Sequence, residues 1–125
     1  MPTERELRNF VGHWFTSVWS LETALLMMRD PGQSWQQPAL VAALRASELV
    51  VVKSLEELLA AGLVVAEQEG NVRYQPATPD LEQMMAEVAA LYATSPSSVR
   101  RSIVRTRYGS ISAFSDAFKL GKGEQ

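Results

Sequence analysis

The stretch from Gln36 to Pro76, QQPALVAALRASELVVVKSLEELLAAGLVVAEQEGNVRYQP, limits the possible folds of this chain more than any other. Gln37-Pro38 predicts a helix start, because proline suits the first helical turn, where its missing N–H would have no partner anyway. Leu40, Val41 and Leu44 give that short helix one apolar face. After Arg45-Ala46, Ser47 stands where a side-chain oxygen can cap a second helix, and Glu48 behind it suits the positive end of the helix dipole. Val51, Leu55, Leu58 and Leu59 recur at helical spacing up to Gly62, a residue that takes the left-handed conformation past a helix end without steric cost. Leu63 to Ala66 and Val72 to Gln75 read as short strands around Gly70-Asn71, a pair that tolerates φ > 0 in a hairpin turn. The order is therefore helix, turn, helix, hairpin.

LEELLAAGLVV followed by a polar hairpin resembles the second helix and wing of MarR- or PadR-like bacterial regulators, and the likeness extends over roughly Val18 to Tyr92. The resemblance implies a winged helix-turn-helix, mainly α with a small β-hairpin, with flanking N- and C-terminal helices. It also implies a non-enzymatic transcriptional regulator that binds duplex DNA and needs no cofactor. In such a protein the exposed N-terminal side of the second helix enters the major groove. That maps base-facing positions onto Ser47, Val52 and Lys53, the wing tip onto Asn71 and Arg73, and phosphate contacts onto Gln37 and Arg45. Groove readers are normally hydrogen-bonding side chains, yet this helix offers Leu49, Val50 and Val52 beside one lysine, and Glu48 and Glu56 oppose phosphate. A second expectation follows: a winged helix serving as a protein-interaction module through Leu49, Val50, Val52, Arg100 and Arg101, since one fold hosts many functions.

Outside this stretch, Thr3 with Glu6 makes a capping-box pattern. Leu7, Phe10, Val11, Trp14, Phe15, Val18, Leu21, Leu25 and Met28 then step by three and four, on one long helix or on two joined near Gly12 or Ser17. Asp30-Pro31-Gly32 ends the stripe, and Ser34-Trp35 reads as a short strand with Trp35 under the wing. Thr78-Pro79-Asp80 starts a further helix whose stripe is Leu81, Met84, Met85, Val88 and Tyr92. TSPSS breaks it; Val99, Ile103 and Val104 mark a basic helix, and Ile111, Phe114 and Phe118 mark a last amphipathic turn. The parts are a helical packing segment at 1–30, the helix-turn-helix and wing at 31–77, C-terminal helices at 78–120 and a disordered tail at 121–125. Two apolar flanking helices predict a homodimer through Phe10, Trp14, Val18, Met84, Met85, Val88 and Tyr92, two-fold dimers being the commonest oligomers.

A chain of 125 residues is expected to be one domain with a real core. No apolar run approaches the roughly 20 residues needed to span a bilayer, the charged start MPTERELRNF lacks a signal-peptide core, and there is no cysteine. A cytoplasmic protein with no membrane partner is expected. Residues 1–96 hold six Lys/Arg against twelve Asp/Glu, whereas 97–125 hold six against two, so an acidic body carries a basic end. Arg100, Arg101, Arg105 and Arg107 either restore phosphate contacts or pair with that acidic body. The single histidine, His13, has no nucleophile or carboxylate at catalytic spacing, and no nucleotide, esterase or zinc-protease motif is present. Glu56-Glu57 and Glu67/Glu69 do not converge with His or Cys, so no metal site is expected. Met27-Met28 and Met84-Met85 read as core fillers, or as the lining of a small-molecule pocket at a dimer seam.

Overall fold

The structure, a computed structural model, describes residues 2–103. It is mainly helical with one small antiparallel sheet: α1 (Glu4–Trp14), α2 (Val18–Met28), β1 (Ser34–Trp35), α3 (Gln37–Leu44), α4 (Glu48–Ala60), β2 (Val64–Ala66), β3 (Val72–Tyr74) and α5 (Pro79–Thr94). A sixth helix, α6, covers residues 96–103. Val104, Arg105, Arg107, the 111–118 stripe and the tail lie outside the described residues.

Local chemistry sets most of the boundaries. Thr3 and Glu6 form the reciprocal capping box at α1, with bonds of 2.9 and 3.1 Å. The N-terminal stripe breaks after Trp14, and Ser17 caps α2 by accepting from the Ser20 N–H at 3.2 Å. Ser47 caps α4 through the Val50 N–H, and Thr78 caps α5 through the Leu81 N–H, both at 3.1 Å. Gly62, at φ 78°, ends α4: its N–H donates to Leu59 O and the Leu63 N–H to Leu58 O. This two-bond lock uses carbonyls the helix would otherwise leave unpaired.

The sheet order is β1-β3-β2, with Trp35 opposite Val72 and Val64 opposite Tyr74. Alternation along β3 buries Val72 and Tyr74 beneath the sheet and leaves Arg73 on its outer face. The hairpin turn differs from the expected Gly70-Asn71 pair. Positive φ falls on Glu69 (60°) and Gly70 (77°), while Asn71 is extended, so Gln68–Asn71 forms a turn with a left-handed central pair. Glycine supplies one left-handed residue and glutamate is forced into the other.

One core draws on every described α-helix: Leu7 and Val11 from α1, with Phe15 just past its end, Leu21 and Met27 from α2, Leu40 from α3, Val51 and Leu58 from α4, Met85 and Val88 from α5, and Val99 and Ile103 from α6. The expected dimer contacts Met85 and Val88 are thereby corrected. Both are fully buried inside the protomer, because the α5 stripe packs inward beside α1. Phe10, Val18, Met84 and Tyr92 are half-buried, and Trp14 is 37% exposed, stacked on Phe10 with ring centroids 5.2 Å apart. Leu59, expected in the α4 stripe, instead faces outward. No helix among the described residues is long and apolar enough to cross a membrane.

Candidate functional site

α4 has two opposed faces. Val51, Ser54, Leu55 and Leu58 point inward, against α2, α3 and β2. At 100° per residue the outward centre falls on Leu49, Lys53, Glu56 and Ala60, all exposed. Leu49, in the first turn, is 63% exposed, more than any other large apolar side chain among the described residues. Val52 flanks this line, half-buried. Val50 lies on the other flank, where it helps line a groove of about 470 Å³ with Thr16, Trp19, Lys53 and Glu57. Ser47 is exposed, its oxygen engaged in capping.

The turn before α4 is strained in an informative way. Arg45 closes α3 in the left-handed region, at φ 55° and ψ 40°, with its own N–H and that of Ala46 on Val41 O. A Cβ in that region costs roughly 1–2 kcal/mol, which is why glycine usually stands there. Arg45 is exposed beside the N-terminus of α4, and Gln37 is half-buried at the first position of α3.

The wing is electrically balanced. Arg73 Nε lies 2.7 Å from Glu67 Oε2 on the outer face of the sheet. The Arg73 hydrogen bond, then one from Ser34, hold the Glu67 carboxyl below the usual carboxylate range. Arg73 is thus spoken for within the hairpin, and Glu69 at the tip opposes any phosphate. Asn71 is half-buried, its backbone closing the turn.

The two arginines of the basic end that lie among the described residues behave separately. Arg100 reaches back to α2 and α5: Nε donates to the Tyr92 hydroxyl at 2.9 Å, a terminal nitrogen lies 3.7 Å from Glu22 Oε2, and the guanidinium sits 5.4 Å from the Tyr92 ring centroid. The Tyr92 hydroxyl donates in turn to Glu22. Burial, then this bond to a carboxylate, push the Tyr92 phenol up. Of the two expected fates for Arg100, pairing with the acidic body is the one adopted. Arg101 is exposed, near Arg8, Ser98 and Ser102. Arg100, Glu22 and Tyr92 edge an open cleft of about 600 Å³ whose apolar wall is Val18, Trp19, Leu25, Leu26 and Leu44. The methionine pairs do not line it.

Two contributors had no signal in the sequence. Glu57 accepts from the Thr16 N–H at 2.9 Å and from the Thr16 hydroxyl, tying α4 to the α1–α2 turn across a separation of 41 residues. Trp19, 42% exposed, stands between the cleft and the α4 groove and lines both. It lies off the apolar stripe, but α2 is apolar nearly all round, so periodicity does not mark which side is exposed. His13 makes an ordinary contact, Nδ1 to Asn9 O at 2.8 Å. Among the described residues no group of three or more His, Cys, Asp or Glu is placed to hold a metal ion. Against this geometry, comparison with known proteins adds nothing: no family model, curated protein or solved structure matches the chain.

Proposed function

We propose that this chain is a winged helix-turn-helix of the MarR/PadR-like kind, a non-enzymatic regulator that binds duplex DNA in the cytoplasm. The observation that supports this best is the element order α2-β1-α3-α4-β2-β3 with sheet order β1-β3-β2, in which α4 keeps an outward face beside an exposed turn. Helix α4 is the reading helix and the 67–71 turn the wing. Arg45 and Lys53 supply the phosphate contacts, since Arg73 is neutralised by Glu67. A left-handed arginine where glycine would be cheaper fits this role, because strain at a surface turn is tolerated where the side chain is needed. The test is binding to a generic labelled duplex at low salt, followed by a salt titration. Binding should be micromolar and weaken with salt, and Arg45→Ala and Lys53→Ala should each lower the salt slope by about 1. No binding at low salt would sink the proposal.

One observation favours a second reading. Leu49 and Trp19 are large apolar side chains left in water on neighbouring elements, and the body is acidic. A winged helix that docks on a protein would use them. Leu49→Asp would then abolish association while Arg45→Ala and Lys53→Ala leave it intact.

A further inference from the structure

We propose that Leu49 reads the C5 methyl group of thymine in the major groove, so that the protein selects for methyl-bearing pyrimidines. The inference rests on the DNA-binding reading above. The centre line of the outward α4 face runs Leu49, Lys53, Glu56, one helical turn apart. That is one apolar point followed by a cation and an anion, with cationic Arg45 just before the helix and exposed Glu48 off the line beside Leu49. It is a poor apolar patch for a protein partner, which needs contiguous apolar area. It complements a base-pair edge well, because the major groove offers one apolar group, the pyrimidine methyl, among acceptors and amino donors. Glu56 suits the cytosine amino group, while Lys53 and Arg45 hold the flanking phosphates, so each of these has a natural partner on the duplex. Leu49 lies in the first turn of α4, the part of such a helix that reaches base edges, and its exposure means that no internal packing claims it.

The test uses two labelled alternating duplexes, one of dA and dT and one of dA and deoxyuridine, which differ by the methyl group. Each is titrated with the wild-type chain and with Leu49→Ala at the same low salt. Burying one methyl against Leu49 should make the thymine duplex bind about fourfold tighter. Leu49→Ala should bring the ratio towards one, and Leu49→Met should keep it. Equal affinity of the wild type for both duplexes, or a preference that survives Leu49→Ala, would overturn the inference and leave DNA binding standing. Failure of the wild type to bind either duplex would overturn both.

Discussion

The Tyr74 hydroxyl sits among apolar side chains under the sheet, the residue only 4% exposed, with no hydrogen-bond partner among the described residues. Burial, with a smaller push from Glu82, raises its phenol from 10.0 to about 12. The unfolded chain therefore loses this proton before the folded one does. Stability from the buried neutral phenol is intact below pH 10 and is lost as pH rises through about 12. Tyr74→Phe should flatten most of that alkaline loss in urea melts, leaving the share due to Tyr92. At neutral pH it should cost nothing and gain up to about 1–3 kcal/mol, since an unpaired buried hydroxyl is a penalty. Gly62 and Arg45 close α4 and α3 in the same left-handed conformation, one as glycine and one not. A Cβ on Gly62 would also lie 3.3 Å from the Ala77 Cβ, so Gly62→Ala should cost about 1–2 kcal/mol in thermal melts. Arg45→Gly should do the reverse, raising stability by about 0.5–1 kcal/mol while weakening duplex binding. A substitution that stabilises the fold and impairs binding would mark a residue kept for contact rather than for architecture.

Elements were legible wherever their ends are written locally. Thr3, Ser47 and Thr78 cap the helices they begin, and Gly62 ends α4, because a cap needs only side chains within three or four residues. The Ser17 cap decides between the one long helix and the two that periodicity leaves open. The hairpin was placed well and its turn misread by one residue. Asn and Gly both accept φ > 0, so composition favoured Gly70-Asn71, but the strand register fixes which pair turns and puts Glu69 there. Glu69→Asn should therefore stabilise the wing, by about 0.5–1 kcal/mol in thermal unfolding. The Glu57–Thr16 tie was invisible because nothing local announces a bond between an α4 carboxylate and a distant turn. Glu57→Ala should cost about 1–2 kcal/mol, and Glu57→Gln less, since an amide oxygen can still accept from the Thr16 N–H.

At the scale of the whole molecule, the expected segments share one core as far as residue 103, which periodicity could not reveal: it shows that a stripe is apolar, not what covers it. Val99 and Ile103 from α6 lie in the same interior as Leu7 and Val11 from α1. Ile103→Ala should lower stability by about 2–4 kcal/mol, with helix signal and tryptophan emission falling in one transition. The inward turn of Met85 and Val88 leaves Phe10, Trp14, Val18, Met84 and Tyr92 as the expected positions still open to a two-fold contact. Sedimentation should give twice 13.8 kDa for the wild type and the single mass for Trp14→Glu; a wild type of single mass would remove the dimer. The candidate contact surface was half legible. The sequence supplied its residue types, but the freedom of Leu49, the strain at Arg45 and the neutralisation of Arg73 depend on packing. Trp19, on the ridge between the cleft and the α4 groove, has a further consequence. Trp19 and Trp14 are exposed to a similar degree, 42% and 37%, whereas the Trp35 indole N–H is buried, so the three fluorophores differ in access to quencher. A molecule that settles on either side of α2 should shield Trp19 and leave Trp35 as it is, so that quenching of the protein's own fluorescence reports occupancy.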